Sequence, residues 1–435
     1  MSVQKKILCA AAALLLSVGA ASSADAQMPV RSAAATAAFW MRPEGDAVLL
    51  SEAEIAELNR TLRLREPSLH DIAGAPPLLS GAEVRVRIEA AAQDLSAPER
   101  PHLYDAELPL TEQTWAYVRE NCAIDAVPET VTVRHAVALN RTSVRLLPSR
   151  AGWYSSVGDV NYDQLQGTVL DPGEAVLVLH ETKDGAFAFI ASRDYDGWVD
   201  RQSLADADEA TWRIFADPRD FFTVTASRLP ILDGSRMLIY QLGAKIPGRR
   251  QEDGTLLLSL PARDAAGNCS VHEMRIHEDG SLVPGRLPLT ANNLMRLAFT
   301  PLYTEYGWGG QNEGMDCSSY VQNIYRAMGV ELPRDADAQE RACTLLPLTG
   351  LDTAQRRARV TAALPGALLF RPGHVMLYLG QDNMGTPLVI HAISSYYEGG
   401  VKRSIRQVVV SDLTFLNAAG LAALDTLTQI GHIVP

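Results

Sequence analysis

The stretch Trp308–Gln339, "WGGQNEGMDCSSYVQNIYRAMGVELPRDADAQ", sets an Asp-Cys pair where a glycine-rich loop gives way to a helical pattern. Val321, Ile324, Tyr325 and Met328 recur at helical spacing, Gly329 is placed to end the helix, and Pro333 forbids its continuation. Cys317 therefore falls in the first turn. Unpaired backbone N–H groups and the positive end of the helix dipole favour thiolate over thiol there, and the same groups can hold an oxyanion. Gly307, Gly309 and Gly310 let the preceding loop pass close to that turn. These are the requirements of a cysteine nucleophile.

A thiolate needs a base, and the base needs an orienting group. Both are available downstream in "GHVMLYLG" and "PLVIHAI", two strand-like runs joined by the turn "QDNMGT". His374 opens the first run on the face of Met376 and Tyr378, and His391 returns on the second. An antiparallel hairpin sets the two imidazoles side by side. His374 is expected to act as general base and then general acid, with His391 fixing its tautomer. Cys317, His374 and His391 thus form a triad judged by roles rather than order.

Outward from this centre, the 435 residues exceed one ordinary core and suffice for two to four domains. The chain opens with Lys5 and Lys6, a short alanine-rich apolar run, and small residues at Ala24 and Ala26. This pattern predicts a signal peptide over 1–26, and hence a periplasmic or secreted protein with no integral membrane segment after cleavage. Removing it takes away two lysines and one aspartate and shifts the formal charge from -12 to -13. An acidic chain without a basic block argues against nucleic acid and anionic membranes as partners. Cys122, Cys269, Cys317 and Cys343 are too scattered for a disulfide framework, though the count leaves one bridge open. Cys269, His272 and His277 suggest a metal site, but on a strand His272 faces away from the other two, which lie roughly 26 Å apart. No metal and no cofactor are expected.

Upstream, "SEAEIAELNRTLRL" carries a capping box, Ser51 with Glu54, and "TEQTWAYVRENCAI" reads as a second helix beginning at Thr111. From Val131 the texture changes to short apolar runs such as "EAVLVLH" and "GAFAFIAS", separated by turn signals, as in a small barrel. A second β-rich run follows the linker "ADADEATWRIFADPRD". From Leu289 the period is helical through "TANNLMRLAFTPLYTEYGWGG" and the Cys317 segment, then strand-like, which implies an α+β domain.

Tyr306-x-Trp308-Gly309-Gly310, Asp316-Cys317-Ser318, "LPRDADAQ" and "GHVMLYLG" occur in the order of the NlpC/P60 family of cell-wall cysteine peptidases, which the region 289–435 resembles. The upstream modules resemble paired bacterial SH3 domains and the N-terminal stabilising region of one branch of that family. The resemblance implies a multidomain fold. A papain-like α+β catalytic domain (289–435) would be preceded by two small all-β SH3-like barrels (129–212 and 213–288) and a partly helical N-terminal domain (27–128). It further implies cleavage of the γ-D-glutamyl–diamino acid bond in peptidoglycan stem peptides with a free N-terminal L-Ala. On that pattern Asp316 would meet the ammonium, Ser318 would lie near the D-Glu carboxylate, and Tyr306 would join the Cys317 N–H at the oxyanion. Tyr195 and Asp163 would be contributed by the first SH3 module. Two departures stand out: Ser319 replaces a customary Gly, and Ala336 stands where amine-binding relatives often carry Ser. A catalytically silent wall-binding protein and an amidase or acyltransferase on another amide are the competing readings.

Overall fold

A computed structural model describes residues 28–96, 103–105 and 107–433. The expected signal peptide lies outside the described residues. Among them, no helix is long and apolar enough to cross a membrane.

The C-terminal region is built on a six-stranded antiparallel sheet ordered Thr344–Pro347, Gln429–His432, Leu368–Arg371, His374–Gln381, Pro387–Glu398 and Val401–Asp412. Alternate residues of each strand serve opposite faces. Val375, Leu377 and Leu379 pack with the helices Ala291–Phe299 and Cys317–Ala327, whereas Met376 and Tyr378 join Val360 and Leu424 on the other face. The helix expected across 290–310 stops at Phe299 instead. Pro301 cannot continue an α-helix, so the chain from there to Met315 is irregular and free to become the loop before the nucleophile.

A seven-stranded sheet spans 134–206. Its strands are apolar on both faces: Ala188 and Ile190 fill one small core, while Phe187 and Phe189 join another with Val84, Trp115 and Trp212. Burial on both sides explains why "GAFAFIAS" reads as a continuous apolar run rather than an alternating one. The segment expected as a linker contains the helix Glu209–Ala216, whose Trp212 and Phe215, one turn apart, are buried on that sheet. Trp212 Nε1 donates to the Val176 carbonyl at 3.2 Å. A five-stranded sheet and the hairpin Arg228–Asp233/Arg236–Gln241 follow, around their own core of Phe222, Leu238, Tyr240 and Leu258. Here His272 pairs with Asp233.

The N-terminal region 27–128 differs from expectation because its described part has no core of its own. The helix Glu52–Arg65, with the expected capping box, gives Ile55 and Leu62 to the C-terminal core, as do Val30 and Trp40. Val84, Ile88, Trp115 and Val118 go instead to the core of the seven-stranded sheet. The segment is a strap across two units. Cys122, Cys269, Cys317 and Cys343 are all buried free thiols.

Candidate active site

Asp316 is the N-cap of the helix Cys317–Ala327. Its Oδ1 accepts the Ser319 N–H at 2.9 Å, and Ser319 Oγ accepts the Asp316 N–H at 3.0 Å. Ser319 therefore completes a capping box, a task glycine could not perform. Asp316 Oδ2 accepts the Gly309 N–H at 2.9 Å and an Arg334 Nη2–H at 2.6 Å, and Arg334 Nη1 reaches Oδ1 at 3.2 Å. Burial works to raise the pKa of this carboxyl, but the Arg334 charge and these hydrogen bonds hold it below the usual carboxylate range. Asp316 is thus an anion already engaged by protein donors. Ser318 is similarly occupied, donating to Asp316 Oδ1 at 3.3 Å and accepting from Arg334 Nη1 at 2.9 Å.

Cys317 and His374 line one cleft of about 990 Å³. The thiol faces the N–H of Val375, the residue after His374. His374 Nε2 lies 2.7 Å from His391 Nδ1, and His391 Nε2 lies 2.9 Å from Ser411 Oγ. Two tautomer sets satisfy this chain; in the one a general base requires, His374 Nε2–H donates to His391 Nδ1 and His391 Nε2–H donates to Ser411 Oγ. His374 Nδ1 is then the nitrogen free to accept a proton.

The electrostatics depart from the sequence-based expectation of a thiolate. Burial, reinforced by the neighbouring Asp316 charge, pushes the Cys317 thiol up to about 12. Burial, with help from the Arg371 charge, lowers His374 to about 3, and His391 is depressed for the same reasons plus His374 itself. Burial outweighs the helix N-terminus. Both shifts favour the neutral thiol and the neutral imidazole over the ion pair.

The seven-stranded sheet supplies one wall. Gly309 and Gly310 adopt φ of +55° and +84°, and a Cβ on Gly309 would meet the Gln166 carbonyl at 2.9 Å. Gln166 Nε2 donates to the Gly309 carbonyl at 2.9 Å, Arg141 donates to the Gly310 carbonyl at 3.0 Å, and Trp308 Nε1 donates to the Asp163 carbonyl at 3.1 Å. The loop before the nucleophile is therefore clamped from outside its own domain. Tyr195 and Tyr306 both line the cleft, and burial keeps both phenols protonated. Asp163 does not line it. Its carboxylate pairs with Arg145 and accepts the Trp153 and Leu165 N–H groups at 2.9 and 3.0 Å, so the expected substrate role is withdrawn in favour of a structural one.

Three residues near the site escaped the sequence reading: Ser411, Arg334 and Asp335. Arg334 joins the units, since its Nε also donates to Thr168 Oγ1 at 2.8 Å. Asp335 opens onto the cleft, and among the described residues its carboxylate accepts no hydrogen bond. Its side chain is exposed, yet crowding by the cleft walls, only partly offset by the Arg334 charge, raises its pKa to about 6. Its place directly after Arg334 in "LPRDADAQ" was the available signal.

Residues 303–410 match the NlpC/P60 family, and residues 154–200 match an SH3 domain of the SH3b1 type. "Dipeptidyl-peptidase 6" of Lysinibacillus sphaericus is 37% identical over 101 residues, which are 23% of this chain and 31% of that protein. "Gamma-D-glutamyl-L-lysine dipeptidyl-peptidase" of Bacillus subtilis (strain 168) is 25% identical over 221 residues, 49% of this chain and 69% of that one. The chain thus spans about a third of the first relative's length and about two thirds of the second's. The solved structure of an NlpC/P60 endopeptidase from Photobacterium damselae subsp. piscicida shares the fold, with a TM-score of 0.74 at 15% identity over 92% of this chain and 97% of that one. The chain carries an NlpC/P60-family domain with an SH3 domain before it.

Proposed function

We propose that this protein is a cysteine peptidase that hydrolyses the γ-D-glutamyl–diamino acid bond of peptidoglycan stem peptides. The observation that carries the reading is Cys317 and His374 on one cleft with His391 and then Ser411 chained behind the base, the first three of these within the residues that match the NlpC/P60 family. The printed name of the Bacillus subtilis relative gives a bond of this class.

As the Cys317 sulfur attacks the γ-carbonyl carbon of D-Glu, its proton passes to His374 Nδ1. A neutral pair suits this route, because charge develops only in the transition state, where oriented donors stabilise it most. The oxyanion forms against the Cys317 N–H and the Tyr306 O–H. His391 and Ser411 hold the imidazolium in register. On collapse the C–N bond breaks, and His374 returns its proton to the departing amine. Water, deprotonated by His374, then attacks the thioester and releases the acid and the thiol.

Asp335 is assigned the substrate's terminal ammonium, in place of Asp316, whose lone pairs are already taken. Tyr195 closes this end of the cleft from the SH3 side, so short peptides with a free amine are favoured over intact wall. The region 213–288 serves as a second SH3-like module, and the protein works outside the cytoplasm after loss of residues 1–26.

The test is mass spectrometry of L-Ala-γ-D-Glu-diaminopimelate and its N-acetylated form after incubation with wild type and Cys317→Ala. Release of L-Ala-D-Glu by wild type alone, from the free-amine peptide, is expected. Failure of wild type to cut either peptide would remove the reading, and equal cutting of both would remove the ammonium pocket.

A further inference from the structure

Arg371 ends the strand Leu368–Arg371, and its register partner is His374 across the turn Pro372-Gly373. The two side chains share a face, as directly opposed residues in an antiparallel pair do. The guanidinium lines the catalytic cleft with its Cζ 5.6 Å from the Phe415 ring centroid. Its Nε is buried and has no hydrogen-bond partner. Among the described residues, no carboxylate or carbonyl pairs with the guanidinium.

That isolation is unusual here. Arg334, Arg326, Arg145 and Arg141 are as buried or more so, and each is matched by an aspartate. A half-desolvated cation backed by an aromatic ring and left without a counterion is primed for an arriving anion. Arg334 on the same cleft is taken up by Asp316, and the opposite rim carries Asp335 and Glu340 together with Asp337, which pairs with Arg341. A substrate that bridges them carries an ammonium at one end and a carboxylate at the other.

Resting on the peptidase reading above, we propose that Arg371 receives a carboxylate of the leaving amino acid and makes the enzyme select stem peptides that carry one there. His374 has to stand at the leaving nitrogen to protonate it, so its cross-strand neighbour, about 5 Å away along the ladder, faces the leaving-group half. Diaminopimelate offers two sources: the main-chain carboxylate of a tripeptide and the carboxylate at the far end of its side chain. Lysine offers only the first. Arg371 acts on binding here, and because its charge also depresses the neighbouring His374 the readout is affinity and not rate.

The experiment measures Kd by calorimetry on Cys317→Ala protein, which leaves the peptides uncut. The ligands are L-Ala-γ-D-Glu-diaminopimelate with both diaminopimelate carboxylates free, with either one amidated, and with both amidated, the D-Glu α-carboxylate being free in all four. Amidating the recognised carboxylate is expected to weaken binding about ten- to a hundredfold, the size of one charge-assisted contact. Which mono-amide loses affinity identifies the source. Adding Arg371→Gln should make acid and amide bind alike, and Arg371→Lys should restore part of the difference. Equal Kd for all four ligands on Cys317→Ala protein would overturn the proposal even if Arg371→Gln did not fold. So would an equal loss on all four ligands in Arg371→Gln. Acid-over-amide discrimination alongside a wild type that cuts nothing would instead sink the peptidase reading and leave the anion site standing.

Discussion

Arg334 closes on Asp316 directly beside the nucleophile, with Nη2 2.6 Å from Oδ2 and both groups buried. The pair neutralises the N-cap carboxylate, and through Thr168 it anchors the catalytic helix to the seven-stranded sheet. Arg334→Met should leave Asp316 as an uncompensated buried charge, at a cost of about 3–5 kcal/mol. Denaturant unfolding should show that loss, and Arg334→Lys should recover only part because it cannot bind both oxygens at once. A change below about 0.5 kcal/mol would show that the pair does not stabilise the fold.

A neutral Cys317 gives a pH signature. With the thiol pushed up to about 12 and His374 lowered to about 3, alkylation of Cys317 by iodoacetamide should be slow at neutral pH and climb steadily on the alkaline side. Mass spectrometry of the Cys317 peptide reads the rate. A plateau already reached near pH 5 would reveal a preformed thiolate–imidazolium pair instead.

Asp335 should set the acid limb of activity. Crowding by the cleft walls raises the folded pKa of this exposed carboxyl to about 6, so it loses its charge as pH falls through 6, and the ammonium loses its partner. The group is harder to ionise folded than unfolded, so its neutral form favours the fold at low pH and that contribution fades as pH rises through 6. In kcat/KM profiles, the limb near pH 6 for free-amine peptides should vanish in Asp335→Asn, with a loss of about ten- to a hundredfold above it. An N-acetylated peptide should show neither effect. Persistence of the limb in the variant would place the titration elsewhere.

Ser411 touches no substrate in this account and acts through His391. Ser411→Ala would leave the buried His391 Nε2–H without an acceptor, worth about 1–3 kcal/mol. The expected result is a kcat about tenfold lower with KM unchanged and partial recovery in Ser411→Thr. A matched rise in KM would mean that the serine shapes the cleft and does not hold the tautomer.

What the chain discloses in its sequence follows from range. The Cys317 helix and the His374 and His391 strands were readable because Val321, Ile324 and Tyr325 keep a helical period and Met376 and Tyr378 alternate. Ser411 was not readable, since it meets His391 only through a ladder whose register shifts between Ile393 and Ser395. The Arg334–Asp316 pair lay within the opening stretch, yet it forms only when the chain after Pro333 folds back on the helix start. Tyr195 was the stronger candidate in sequence and Asp163 the weaker; Arg145 beneath Asp163 and the open cleft beside Tyr195 separate them further. The helix at Trp212 passed for a linker because acidic residues flank its short apolar face.

The central claim is that Cys317, served by His374, attacks the γ-carbonyl of D-Glu. An L-Ala-γ-D-Glu diazomethyl ketone places an electrophilic carbon beside that carbonyl. Intact-protein and peptide mass spectrometry should find one adduct, on Cys317, that free L-Ala-γ-D-Glu suppresses and His374→Ala slows by about a hundredfold or more. An unlabelled Cys317, or labelling of Cys122, Cys269 or Cys343 at a matching rate, would contradict the account.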